Sequence, residues 1–428
     1  MQICEAKLCT GCSACANICP KQCITIEKDR DGFLRPQIDE EKCIQCMSCV
    51  SHCPQNNSIR LNRYSNPTVF AAYSSNSKQM KVSTSGGIFP ILAEHIIEQG
   101  GCVYGAQMQN DFSVNFTRIK EKSEIIKLQG SKYVQSNIDM IYKSVLKDLQ
   151  KKIPVLFSGL PCQIGGLYSF LGKDYANLFT IDVVCRGVLS EKILKEYISY
   201  REKKENSKLS DLVFRYKASN WKPMSYGTVM HLAFNNGRHY NRNLTSEPYY
   251  ATFLKNIAMK ESCYLCRYNG FPRIGDITLG DFAGLGVLET TNFYNKQGIS
   301  QVLINSCKGK AIYESCTKRI IDERRTLDEC CFFNLNLWKS TDRNSGRELF
   351  LDEIEQKGIE IALKKYISDS KSRLLQKVKD IIIYVLGEKR VLWGMHKKRI
   401  SDNIYPTQWP KNKYVTYNGI NDDEKEIV

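Results

Sequence analysis

Eight cysteines within the first 54 residues fall into two runs. They read Cys9-x2-Cys12-x2-Cys15-x3-Cys19-Pro20 and Cys43-x2-Cys46-x2-Cys49-x3-Cys53-Pro54. Each ligand position of the second run lies 34 residues after its counterpart, so the segment is an internal duplication. Three thiolates at i, i+3 and i+6 on one tight loop can reach three corners of an iron–sulfur cubane. The fourth corner then needs a ligand from further away. In this bacterial ligand pattern the fourth Cys of each run serves the other cluster. The spacing therefore predicts one 4Fe–4S cluster on Cys9, Cys12, Cys15 and Cys53, and a second on Cys43, Cys46, Cys49 and Cys19. Pro20 and Pro54 keep the chain from continuing as a helix past the fourth ligand.

The competing readings are weaker. A zinc site usually takes separated Cys-x2-Cys pairs set tetrahedrally, not three thiolates at successive three-residue steps. A disulfide framework needs an oxidising compartment, and residues 1–30 show no apolar run with a cleavage site. The first 60 or so residues resemble the two-cluster bacterial ferredoxins. Nineteen cysteines in such a chain point to a reducing, cytoplasmic setting with thiols used for metal.

The elements that position further chemistry follow from composition and pattern. At 428 residues with 42% hydrophobic content the chain has room for about three domains, and it has no uninterrupted apolar run long enough to span a membrane. The boundaries expected are 1–62 for the two-cluster domain, 63–340 for a middle domain and 341–428 for a helical basic C-terminal extension. Residues 69–73, 102–106, 155–159 and 179–184 read as strands. Helical patterns stand at 88–99, 141–151, 163–172 and 190–204, and strands alternating with helices predict a mixed α/β core. Residues 211–250 read as antiparallel strands.

Cys162 and Cys185 each follow a buried strand in this region, and Cys263-Tyr264-Leu265-Cys266 is a short loop pair. Loops past the carboxyl ends of strands in such sheets collect ligand sites, although small buried cysteines are also common in cores. Gly86-Gly87 opens a helix, where backbone N–H groups and the helix dipole favour a phosphate. An ordinary loop-to-helix turn reads the same way.

Ser85-Gly86-Gly87, Leu128-Gln129-Gly130-Ser131-Lys132-Tyr133, Phe157-Ser158-Gly159-Leu160-Pro161-Cys162-Gln163, Val184-Cys185-Arg186-Gly187 and Gly275-Asp276-Ile277-Thr278-Leu279-Gly280-Asp281 occur in this order. Together they resemble the beta-subunit family of coenzyme F-420 hydrogenases and dehydrogenases, which includes 7-hydroxymethyl chlorophyll a reductase. The resemblance covers roughly residues 68–350. It implies a flavin, typically FAD with FMN as the alternative, near a third 4Fe–4S cluster on Cys162, Cys185, Cys263 and Cys266. It further implies a cytoplasmic oxidoreductase passing electrons between an external donor, the clusters, the flavin and a hydride-accepting substrate, in either direction. Ser85, Gly86, Gly87, Gly130, Ser131, Lys132, Tyr133, Asp276 and Asp281 are the candidate flavin contacts. Relatives often carry His where this chain has Arg186, so that position receives no catalytic role, and the catalytic residues and substrate are unassigned. The fold expected is α+β: a ferredoxin domain fused to a mixed α/β flavin and iron–sulfur domain, with a helical tail.

Two other readings stand beside this one. The chain can be an electron-transfer component of a larger complex with no substrate site of its own, serving polysaccharide biosynthesis, or a redox sensor or scaffold. The net charge of +16 favours acidic partners. Residues 364–413 carry thirteen basic and four acidic side chains. An apolar face from Leu374 to Leu386 with lysines around it suggests an amphipathic helix that packs on the body, with a membrane surface as the less favoured partner. No nucleic-acid-binding signature accompanies the charge. Cys4, Cys23, Cys102, Cys307, Cys316, Cys330 and Cys331 lack ligand spacing and read as incidental thiols.

Overall fold

The computed structural model describes residues 1–217, 229–243 and 246–367, together with 393, 394, 397, 405, 406, 408–412 and 415–417. The duplication in the sequence is a duplication in the backbone. Gly11 and Ser13 are left-handed (φ 71° and 63°), and Gln45 and Met47, at the same repeat positions, are too (φ 54° and 60°). These reversals curl each cysteine loop inward before it enters a short helix, Ala14–Ile18 or Ser48–Ser51. At position 11 the sequence is confined to glycine by space as well. A Cβ there would lie 2.6 Å from the Leu34 carbonyl oxygen. Strands β1 (Ile24–Lys28) and β2 (Leu34–Ile38) form an antiparallel hairpin between the halves, and β3 (Ile59–Leu61) leaves this head.

The body is built on eight strands: β4 (Thr68–Ser74), β5 (Cys102–Met108), β6 (Val114–Ile119), β7 (Val155–Gly159), β8 (Leu178–Val183), β12 (Ile277–Asp281), β13 (Ser300–Ile304) and β14 (Ile320–Arg325). Their order is β14-β4-β13-β12-β8-β7-β5-β6. Strands β5, β7, β8 and β12 are parallel. Because β13 is antiparallel to both β12 and β4, β4 shares their direction. Five strands thus end at one edge of the sheet, which is where open sheets of this kind bind ligands.

Period-two alternation divides the sheet's side chains between two cores. Leu156 and Val103 pack with Ile88, Ile91, Leu92 and Ile96 of the helix Ile88–Glu98. Val155, Phe157 and Tyr104 face Tyr142, Val145, Ile164 and Leu167 of the helices Ile141–Gln150 and Pro161–Leu171. Pro161 begins its helix at the first turn, where the missing N–H costs nothing. Along the chain, the segment connecting β8 to β12 forms a second sheet of β9 (Leu209–Tyr216), β10 (Val229–Phe234) and β11 (His239–Asn243), ordered β11-β10-β9.

The stretch expected as a helical basic extension, 341–428, begins with two helices that join the body. Helices Arg347–Lys357 and Ile359–Tyr366 bury Phe350, Leu351, Ile354 and Leu363 in the core beneath β9 and β10. Further along, Tyr405 and Trp409 pack on Trp338, the two indole rings 5.6 Å apart. Strand β15 (Val415–Tyr417) then pairs in parallel with β3 of the head. Apolar residues at helical spacing drive the helices home, and the chain returns far enough to close on its own start. The amphipathic stretch of 374–386 lies outside the described residues. Among the described residues no helix is long and apolar enough to cross a membrane.

Candidate functional site

In the head, Cys53 stands beside Cys9, Cys12 and Cys15: burial first, and then the nearby thiols, push Cys12 and Cys15 up. Cys19 joins Cys43, Cys46 and Cys49 around a second recess. The two sets are the crossed ones that the spacing suggests. Cys46 is exposed there, flanked by exposed Ile44 and Met47, so the second recess faces outward and the first faces the body.

Two cysteines that spacing gave no reason to notice adjoin these recesses. Cys4 stands beside Cys53 and Cys9, and Cys23 Sγ lies 3.4 Å from Cys19 Sγ. Neither belongs to a repeat position, so only the fold brings them in.

A third recess forms where the head meets the body. Cys162 sits in the first turn after β7, Cys185 just past β8, and Cys263 and Cys266 come from the short helix Glu261–Tyr264 and its exit. All four line one space of roughly 780 Å³, its mouth included, with Lys260, Tyr268 and Arg273. Burial pushes all four thiols up, Cys263 to about 12, and thiol neighbours add to the rise at Cys162, Cys185 and Cys263. Metal binding would have to overcome that cost by taking the thiolate form. Position 187, in the Val184–Gly187 turn, has no room for a side chain. A Cβ there would meet Met259 Sδ at 2.5 Å and Cys263 Cβ at 3.2 Å. Arg186 donates to Asn256 Oδ1 and the Leu254 carbonyl, both at 3.0 Å, so it ties the loop down.

The donor set fits a cluster. Gln55 Nε2 and Tyr268 OH belong to residues lining this recess, are buried, and have no hydrogen-bond partner among the described residues. Buried donors in native proteins are nearly always paired, and sulfide or thiolate sulfur would accept from them. Among the described residues no three His, Cys, Asp or Glu side chains converge tightly enough for one metal ion.

The first head set and the third recess are neighbours. Cys12 contributes to raising both Cys162 and Tyr268, and Cys53 also acts on Tyr268. Gly165 and Gly166 make the approach possible. A Cβ on Gly166 would lie 3.0 Å from Cys12 Sγ, and one on Gly165 2.4 Å from the Tyr268 hydroxyl. The head is tied down around this contact. Gln135 accepts from Leu34 N and donates to the Thr10 carbonyl, Asn17 donates to the Asp139 carbonyl, and Ser169 donates to the His52 carbonyl.

The candidate flavin residues divide into those that assemble and one that does not. Gly86 N donates to Ser300 Oγ and Ser85 Oγ to the Ile299 carbonyl. Ser300 pairs with Asp281 across β12 and β13. Gln129 Nε2 donates to Ser83 Oγ at 3.1 Å, which brings the Gly130–Tyr133 loop to the same corner. Gly87 (φ 76°) opens the helix Ile88–Glu98 with no side-chain cap, leaving first-turn N–H groups for an anion. Two residues in and just after β9 that the sequence did not mark complete the corner. Lys217 Nζ donates to the Met80 and Ser85 carbonyls at 2.7 and 3.2 Å, and Arg215 pairs with Asp281 at 2.5 Å. Burial lowers Lys132 to about 7, and burial with Arg215 nearby lowers Lys217 to about 8. Lys132 meanwhile caps the Leu128 and Gln129 carbonyls. Tyr133 is enclosed by Phe214, Tyr250 and Phe253 at 4.7–5.6 Å, a packing role.

Asp276 is the exception. It lies buried against Arg63 (3.1 Å), Ser306 Oγ (2.6 Å) and Thr180 Oγ1 and N, at the opposite end of β12 from Asp281. Its oxygens are spent on holding the head-to-body linker, and no cofactor hydroxyl has access to them.

Residues 8–57 match the family model described as a 4Fe-4S dicluster domain. Residues 154–329 match the model for the C terminus of the coenzyme F420 hydrogenase/dehydrogenase beta subunit. An uncharacterized polyferredoxin-like protein of Methanocaldococcus jannaschii is 38% identical over 56 residues, 11% of this chain and 33% of its own length. NADH-quinone oxidoreductase subunit I of Pelobacter propionicus is 36% identical over 64 residues, 13% of this chain and 33% of its own. The chain thus spans about a third of the length of each of these curated relatives. A chain of the F420-reducing NiFe hydrogenase complex from Methanosarcina barkeri is 16% identical with a TM-score of 0.42, covering 71% of this chain and 92% of that one.

Proposed function

Given a chain that joins a 4Fe-4S dicluster domain to the C-terminal domain of the coenzyme F420 hydrogenase/dehydrogenase beta-subunit family, we propose an iron–sulfur flavoprotein oxidoreductase. It exchanges electrons between an external redox partner and a hydride-accepting small molecule. The observation that carries this reading is the convergence of Cys162, Cys185, Cys263 and Cys266 on one recess, next to the head's Cys12.

The residues divide the work. Cys43, Cys46, Cys49 and Cys19 would hold the outer cluster, where exposed Ile44 and Met47 offer a partner an apolar landing. Cys9, Cys12, Cys15 and Cys53 would hold the middle one, and the four body cysteines a third. Gly86, Gly87, Lys217 and the Gly130–Lys132 loop would take the phosphates of FAD or FMN. A flavin bound there would couple the one-electron chemistry of clusters to two-electron hydride chemistry. Tyr268 and the two glycines of 165–166 let the middle and inner cysteine sets approach closely, while Arg215 pairs with Asp281 at the flavin corner.

Fluorescence titration of anaerobically purified protein with FAD and with FMN tests the flavin half. One site per chain, weakened in Lys217→Met, is expected. Absence of binding by either flavin contradicts it and leaves an electron-transfer component of a larger complex.

A further inference from the structure

Lys260 is 1% exposed, and its ammonium forms no ion pair among the described residues. Burying an unpaired charge is costly enough that proteins ordinarily neutralise or pair it. The side chain crosses from the body to the head, where Nζ donates to the Leu34 carbonyl at 2.9 Å and lies 5.1 Å from the centre of the Phe33 ring. Its backbone belongs to the third recess: Lys260 lines that space, and Cys263 N donates to the Lys260 carbonyl. Burial draws the ammonium down to about 8, and the repulsion of Arg35 adds to the fall. The groups that hold it up are Cys9 of the middle set, Asp29, and Cys263 of the inner set. Asp29 is already taken by Arg35 at 3.0 Å. An isolated ammonium thus stands between two groups of thiols that become anionic once they hold iron.

We infer that Lys260 is a positioning residue for electron passage, its buried positive charge shared by the middle and inner clusters and raising the reduction potentials of both relative to the outer one. The inference rests on the three-cluster reading above. Its physical basis is that each cluster gains one negative charge on reduction. A fixed positive charge in a low-dielectric interior stabilises the reduced form more than the oxidised form. The Cys19 and Cys43–Cys49 set lines the other, outward-facing recess, and Lys260 lines only the inner one.

Redox titration of the full chain, followed by electron paramagnetic resonance, reads this directly. Signals are assigned with Cys46→Ser, Cys9→Ser and Cys263→Ser. Lys260→Gln keeps a hydrogen-bond donor for Leu34 but removes the charge, and Lys260→Arg keeps the charge. In Lys260→Gln the middle and inner clusters should be about tenfold less reduced at a fixed poise. That is a fall of about 59 mV for a one-electron couple. The outer cluster should not move, and Lys260→Arg should stay near the original values. Unchanged potentials in Lys260→Gln, or equal falls in all three clusters, overturn the inference. A native chain showing only two cluster signals fails the three-cluster reading before any Lys260 variant is made, and removes the bridge with it.

Discussion

Replacing Gly166 by Ala asks whether the head is seated on the body. In an exposed helix, Gly to Ala gains about 0.8–1.0 kcal/mol of helix propensity, so with open space the variant would be more stable. Space is not open here. The new Cβ would stand 2.7 Å from Tyr142 OH, 2.9 Å from Cys12 Cβ and 3.0 Å from Cys12 Sγ. Unstrained carbon contacts lie at about 3.5–4.0 Å. Tyr142 is fixed by its 2.6 Å bond to the Gln163 carbonyl and by complete burial, so the Cys12 loop must move. Overpacking of this kind costs about 1–3 kcal/mol, enough to cancel the propensity gain and reverse the sign. Anaerobic thermal melts with iron determination are the assay. The expected result is a melting point lowered by a few degrees, with iron lost selectively from the middle cluster and Gly166→Val worse than Gly166→Ala. A variant that melts higher than the native protein with full iron would refute the seating of Cys12 on this helix.

Other outcomes follow from the same packing. Arg63→Met leaves Asp276 buried without its partner, a loss of about 3–5 kcal/mol in denaturant unfolding, part of which Arg63→Met/Asp276→Leu should restore. Burial opposes ionisation of Asp148, yet hydrogen bonds from Arg118, Tyr104 and Cys102 outweigh it and hold the carboxyl at about 2. Its unfolded value is about 3.9. The stabilisation is therefore present above that pH and lost between about pH 4 and 2, so acid unfolding of Arg118→Met should begin at higher pH than in the native chain. Iron removal should release the head alone, because its own core is little more than Ile3, Ala16, Ile24 and the cysteines. Proteolysis of the iron-free protein should cut within residues 1–62 and spare the eight-stranded sheet.

The parts of this molecule set by local chemistry were legible in its sequence. The duplicated cysteine runs carried their own crossing rule, and Val155–Gly159 and Leu178–Val183 announced themselves as buried strands by composition. Gly86-Gly87 announced a helix start. What could not be read depends on contacts between distant segments. Lys260, Lys217 and Arg215 look like ordinary surface cations until the fold buries the first and half-buries the other two. Asp276 and Asp281 are five residues apart around one strand and look alike in sequence. Only the sheet shows that they stand at opposite ends of it. Cys4 and Cys23 had no repeat partner to betray their place. The packing of the C-terminal part was illegible for a related reason. Phe350 and Trp409 are held by packing, and β15 by pairing, against segments far earlier in the chain.

Iron and sulfide content per chain, measured anaerobically in the native protein and in Cys162→Ser/Cys266→Ser, is the most direct test of the wiring. Three 4Fe–4S clusters predict about twelve irons in the native chain, and the variant should fall to about eight while keeping the head's spectrum. About eight irons in both proteins would contradict the third cluster and leave the four body thiols as core residues.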